Sequence, residues 1–307
     1  MLRPPLPGPS RHGLYYVTMS TPPASPAPSA DTASAADPVT LRTLRHRAAD
    51  GHKFAMLTCY DATTARWLYR GGLDVMLVGD TAGSVVLGFD DTIRVPLDFM
   101  LTLTAAVKRG APLAFVMGDM PFLSYTTDDA QAVANAGRFM IEGNADAVKL
   151  EVDHRHVELI AKLDRAAIPT VAHIGWRPQR TPRTGVPVVA GRTDRGVDKM
   201  AALAVELQQA GATMLLIEQS TAEAAQAVIE AVDIPVIGCG AGPHCHGHVI
   251  VLQDWLGMTD WQPSFAPPGG RGGPALQDLA RKWVDLVESG RYLADGGPYA
   301  MRGKAAE

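Results

Sequence analysis

From about Val39 onward the chain alternates short, almost continuous apolar runs with longer segments whose apolar residues recur every three or four positions. A short apolar run with no regular polar alternation fits a strand buried on both faces, as in a parallel sheet. Eight such runs occur: "FAMLTCY" (54–60), "VMLVGD" (75–80), "LAFVMGD" (113–119), "AVKLE" (147–151), "PTVAHIG" (169–175), "TMLLIE" (213–218), "IPVIGCG" (234–240) and "VIVLQD" (249–254). Between them, "DDAQAVANAGRFMIEG" (128–143) and "VDKMAALAVELQQAGA" (197–212) show helical spacing, an acidic start and a glycine stop. Strand and helix in alternation place the chain in the α/β class. Eight units predict a (β/α)8 TIM barrel in a single domain. The competing open, doubly wound sheet would carry Gly-x-Gly-x-x-Gly after its first strand, and none stands there.

This rhythm sets the expected boundaries. Residues 1–38 end in "STPPASPAPSADTASAADP", which is rich in Pro, Ala and Ser without apolar periodicity, and are expected to form a disordered tail. Residues 39–293 are expected to form the catalytic barrel, and residues 294–307 a C-terminal tail. A content of 47% hydrophobic and 20% charged residues suffices for a large buried core. The net charge of −4, with no basic stripe, argues against nucleic acid or an anionic membrane as partner. No stretch approaches ~18 uninterrupted apolar residues, and proline and glycine interrupt the only segment that could resemble a secretory leader. Cys59, Cys239 and Cys245 are too few and odd in number for a disulfide framework. Together these features give a cytoplasmic expectation.

Asp80, Asp119, Glu151 and Glu218 close four of the runs. In a barrel the C-terminal strand ends form the mouth that holds the chemistry, so these four acids are expected to converge there. One acid at a strand end often does no more than cap the following helix. Four at one level repel each other and call for positive charge, and Lys149 and His173 lie on two of the same runs. Oxygen donors of this kind suit Mg²⁺, which keeps several waters and completes its shell with substrate oxygens.

At these residues the sequence closely resembles the ketopantoate hydroxymethyltransferase (3-methyl-2-oxobutanoate hydroxymethyltransferase) family, within the phosphoenolpyruvate/isocitrate-lyase barrel group. The resemblance rests on "LTCYDATTAR", "GLDVMLVGDTAG", "VKRGAP", "GDMPFLSY", "DAVKLE", "IPTVAHIG", "AGATMLLIE", "IPVIGCGAG" and "VDLVESGRYL", in the family's order. It implies Mg²⁺ on Asp80, Asp119 and Glu151. It implies contacts to a 2-oxo acid from Asp80, Thr81, Asp119 and Lys149, with Glu218 as proton acceptor and His173 in support. It further implies methylenetetrahydrofolate as one-carbon cosubstrate and a homo-oligomer, commonly a decamer. The folate-binding residues are not identified by the resemblance, although Trp176, Trp255 and Trp261 offer rings that could stack on a pteridine.

The expected reaction follows from the residue types. A 2-oxo acid chelating Mg²⁺ through its ketone and carboxylate becomes more acidic at C3, and Glu218 would remove that proton. Lys149 would supply positive charge against the carboxylate and the developing oxyanion.

Departures from the family pattern fall in loops. Val152 and Asp153 stand where two glycines are usual, "GVPVV" (185–189) lacks a usual lysine, and "PSFAPPGGRGG" replaces another lysine-bearing segment. His246-Gly247-His248 stands in place of Asp-Gly-Gln, within "CGAGPHCHGH" (239–248). This cysteine- and histidine-rich stretch suggests zinc by composition, but no second cluster has structural-zinc spacing. It is expected at the active-site mouth, with His246 a position of altered substrate or folate handling.

Overall fold

The computed structural model describes residues 37–295 and Gly297. Most of the two expected tails therefore lies outside the described residues.

Eight parallel strands close into a barrel in chain order, with the last pairing back on the first. They are β1 (Phe54–Thr58), β2 (Val75–Val78), β3 (Phe115–Asp119), β4 (Ala147–Glu151), β5 (Thr170–Gly175), β6 (Met214–Glu218), β7 (Val236–Cys239) and β8 (Gly247–Ile250). Alternate side chains serve two apolar regions. Phe54, Met56, Phe115, Met117, Met214 and Ile237 fill the barrel interior. Met76, Val116, Val148, Ala172, Leu215 and Val236 belong to the layer shared with the helices. Burial on both faces is why the runs read as continuously apolar.

Helix α1 (Leu41–Ala49) precedes the first strand, and its buried Leu44 joins the interior cluster together with Val39 and Leu41. It closes the N-terminal end of the barrel. The outer ring contains α2 (Ala62–Arg70), α3 (Leu97–Gly110), α4 (Asp129–Ile141), α5 (Val157–Arg165), α6 (Asp194–Gln209) and α7 (Ala222–Ala231). Their starts are fixed by side chains that accept hydrogen bonds from free backbone N–H groups: Asp61 for α2, Asp128 for α4, Thr193 for α6 and Thr221 for α7. The (β/α)8 expectation is borne out.

Two local expectations are corrected. The eighth strand begins at Gly247, two residues earlier than the sequence reading, and Leu252–Trp255 forms a helical turn rather than strand. Pairing of Phe54 with Gly247 sets this register. A Cβ at position 247 would come within 2.3 Å of the Phe54 ring, so only glycine leaves room for that ring inside the barrel. The second correction concerns "CGAGPHCHGH". No helix follows β7, and the chain returns directly to the N-terminal end of the barrel. There the His246 N–H donates to Val236 O, its carbonyl accepts from Phe54 N, and Lys53 Nζ donates to the Pro243 and Cys245 carbonyls. His246 therefore lies at the opposite end from the mouth, and its ring nitrogen Nδ1 accepts from Val236 N at 3.0 Å.

The last helix, α8 (Gly272–Glu288), has no buried residue. Leu276, Leu279, Trp283, Val284 and Val287 are each about half exposed on it.

Candidate active site

Strand register builds the mouth. Asp119 pairs across from Lys149, Glu151 from His173, and Glu218 from both Gly175 and Cys239. Gly175 is required at its position, because φ is +87° and a Cβ would meet the Glu218 carbonyl oxygen at 2.4 Å. Asp80 and Thr81 follow directly on β2 and its glycine. Every predicted site residue (Asp80, Thr81, Asp119, Lys149, Glu151, His173 and Glu218) lines a single cavity of about 440 Å³. Leu77, Leu216, Val249 and Phe265 add apolar wall, and Trp261 lines it as well, whereas Trp176 and Trp255 do not.

The polar groups form one connected set. Lys149 Nζ lies 2.7 Å from Asp119 Oδ1 and 3.3 Å from His173 Nδ1. The other Asp119 oxygen accepts from Asp80 N at 3.0 Å. Across the site, His173 Nε2 is 3.4 Å from Glu218 Oε2. The Thr81 hydroxyl is 2.8 Å from the Tyr60 hydroxyl.

Burial governs the protonation of this set. It raises Glu218 to about 8, opposed by Lys149 and helped by the charges of Asp80 and Asp119. Burial likewise holds Asp119 above the usual carboxylate range, against the pull of Lys149 and with the repulsion of Asp80. Glu151 is raised by burial and by Asp80. For Lys149 burial disfavours the charge, but Asp119, Asp80 and Glu151 outweigh it and keep the ammonium protonated. His173 is pushed well below its ordinary value by burial, with Lys149 and Arg177 acting in the same direction. It is thus neutral, and an Nδ1 that accepts from the lysine leaves the proton on Nε2, facing Glu218.

The donor set suits a hard divalent cation. Glu151 Oε2 is a buried oxygen without a hydrogen-bond partner, Asp119 Oδ1 meets only the Lys149 ammonium, and crowded carboxylates with raised pKa are what a cation relieves. Among the described residues no three His, Cys, Asp or Glu side chains converge to enclose an ion by themselves. That removes the zinc cluster suggested by the cysteine- and histidine-rich stretch. It is compatible with Mg²⁺, which takes one or two carboxylates and fills the remaining positions with water and substrate.

The sequence reading missed Gln179 and Tyr125, whereas Cys239, the first residue of "CGAGPHCHGH", does line the cavity as expected. Gln179 follows β5 in a short 3₁₀ turn (Pro178–Arg180), is 5% exposed, and hydrogen-bonds both Asp80 and Glu151. Its only sequence signal was a glutamine between proline and arginine in "WRPQR", which carries no chemistry until the loop folds over the mouth.

Comparison with known proteins decides the family. The family model for ketopantoate hydroxymethyltransferase matches residues 38–295. The chain belongs to that family. A 3-methyl-2-oxobutanoate hydroxymethyltransferase of Alkalilimnicola ehrlichii is 42% identical over 256 residues, covering 83% of this chain and 92% of the relative. One from Haloarcula marismortui is also 42% identical, covering 82% and 93%. Among solved structures, 2,3-dimethylmalate lyase of the PEP mutase/isocitrate lyase superfamily superposes with a TM-score of 0.55 at 17% identity, covering 82% of this chain and 89% of that one. Phosphonopyruvate hydrolase gives 0.56 at 12%, covering 85% and 93%. At such identities the likeness extends to the barrel. The ketopantoate hydroxymethyltransferase membership rests on the closer relatives.

Proposed function

We propose that this member of the ketopantoate hydroxymethyltransferase family transfers a hydroxymethyl group from methylenetetrahydrofolate to 3-methyl-2-oxobutanoate, giving 2-dehydropantoate for pantothenate and CoA synthesis. The observation that carries this reading is that a chain matching most of the length of relatives so named gathers its carboxylates, lysine and histidine around one cavity. Asp80, Asp119 and Glu151 would hold Mg²⁺ only together with water and substrate oxygens, since these three acids do not enclose an ion by themselves. When bound, the ion would supply Lewis-acid polarisation of the ketone oxygen.

The protein's own groups account for the remaining requirements. Lys149, kept charged by three acids, faces the carboxylate and the developing oxyanion of the 2-oxo acid. The Thr81 hydroxyl offers a hydrogen bond to the same carboxylate. Glu218, whose side chain is 22% exposed, accepts the C3 proton from within the cavity. The His173 imidazole fixes the direction of that carboxylate.

The test is a panel of 2-oxo acids given to purified protein with Mg²⁺ and methylenetetrahydrofolate. A hydroxymethylated product from 3-methyl-2-oxobutanoate is expected. Product from a different acid only would reassign the substrate, and product from none would remove the transferase reading.

We further propose a homo-oligomeric, cytoplasmic enzyme. No helix among the described residues is long and apolar enough to cross a membrane. The apolar side of α8, unpacked in the single chain, supports self-association, because contiguous exposed apolar surface of this kind marks an interface. Substituting Leu279→Asp and Trp283→Asp together is expected to shift the molecular mass seen by light scattering towards that of one chain. An unchanged mass would show that α8 does not hold the assembly.

A further inference from the structure

The three acids proposed to hold the cation come from different strands or strand ends, and one residue outside that set joins two of them, Asp80 through its side chain and Glu151 through its backbone. Gln179 Nε2 donates to Asp80 Oδ2 at 2.8 Å and to the Met120 carbonyl at 3.0 Å. Its backbone N–H donates to Glu151 Oε1 at 3.1 Å. Its amide oxygen accepts from the Tyr125 hydroxyl at 2.7 Å. Both partners of the amide nitrogen are acceptors only, so the orientation of the amide is fixed by its neighbours. Each carboxylate thereby has one oxygen occupied by Gln179. On Glu151 the other oxygen, Oε2, is left buried and unpartnered.

The turn bearing Gln179 is itself clasped. Arg177 Nη1 donates to Val152 O at 2.9 Å and to Asp153 Oδ2 at 3.1 Å, and Arg180 Nη2 donates to the same Asp153 oxygen at 3.2 Å. The two arginines flank Gln179, and Asp153 follows Glu151 by two residues. One carboxylate thus ties the turn to the strand end that carries Glu151. Asp153 occupies a position where the resemblance leads one to expect glycine, which has no side chain to form this clasp.

We propose that Gln179 is a positioning residue of the cation site: it occupies one oxygen of Asp80 and one of Glu151 so that the other oxygen of each is presented to the ion, with the Arg177–Asp153–Arg180 clasp holding it there. The inference rests on the Mg²⁺ reading above. Groups that hydrogen-bond metal ligands commonly contribute ten- to hundredfold in metal affinity without touching the metal.

Mn²⁺ binding by paramagnetic resonance on the full chain, with no 2-oxo acid or folate present, separates the possibilities. Gln179→Ala is expected to weaken Mn²⁺ binding about tenfold or more. Gln179→Met, which keeps the length of the side chain but neither polar end, is the companion should the alanine variant fail to fold. Asp153→Asn, which loosens the clasp without touching the acids, is expected to weaken binding by a smaller factor. In turnover, Gln179→Ala is expected to regain rate as Mg²⁺ is raised, whereas loss of the base is not compensated in this way. Wild-type protein that binds no Mn²⁺ would remove the cation reading and this inference with it. Wild type that binds, beside folded Gln179 variants that bind equally well, would overturn the inference alone.

Discussion

Replacing Glu218 by Gln is expected to slow exchange of the substrate's C3 proton with solvent by about 10²–10⁴-fold, the usual contribution of a positioned general base. Mn²⁺ affinity should be unchanged, because Glu218 lies outside the group of acids that Gln179 and Lys149 tie together. The same residue sets the pH profile. Burial raises Glu218 to about 8, and it must lose its proton to act. Wild-type kcat/KM is therefore expected to rise with pH and level off above about 8, and Glu218→Gln should lose this limb together with the rate. Its effect on stability has the opposite sign. A carboxyl whose folded pKa lies above its ordinary value of 4.5 favours the folded state below that value, and this contribution is lost as pH rises through about 8. The base is made strong at a cost in stability at the pH where it works. Exchange that survives the substitution would show that the proton goes elsewhere.

The fold was legible because parallel strands buried on two faces leave no room for polar alternation. That constraint writes the strands as apolar runs, except β8, which opens on Gly247-His248 and is buried on one face only. It also made the acids conspicuous: Asp119, Glu151 and Glu218 stand at strand ends where the pattern breaks, and strand register places them around one cavity. The eighth strand was misplaced because Val251 and Leu252 continue the apolar pattern after the strand has ended. Gln179 was not legible at all. Its role arises from a loop crossing 99 positions of sequence to reach Asp80, and no periodicity records such an approach. The misreading of His246 has a related cause. Ligand-type residues after a strand suggested a mouth loop, but a return to the next strand without a helix carries the same residues to the far end of the barrel.

Lys149→Met is expected to have the largest combined effect, on stability and on rate. The lysine and Asp119 are 5% and 1% exposed, and their charges are 2.7 Å apart. Deleting one partner of a buried ion pair leaves the other uncompensated and typically costs about 3–5 kcal/mol. Here the uncompensated charge would be shared among Asp119, Asp80 and Glu151, all of which now help keep Lys149 protonated. Without the ammonium, Asp119 and Glu151, already raised by burial, move further up. Groups with raised folded pKa stabilise below their unfolded values and lose that contribution as pH rises. The variant should thus approach wild-type stability near pH 4 and fall progressively behind towards neutrality, as followed by denaturant unfolding in the absence of metal. Added Mg²⁺, binding the folded state, should recover part of the deficit. Turnover should not recover with it, because the positive charge facing the developing oxyanion is gone, a loss on the order of 10²–10³ in kcat. A metal-free Lys149→Met protein as stable as wild type at neutral pH would mean that the acids share protons in the resting site and that the lysine is needed only by the substrate.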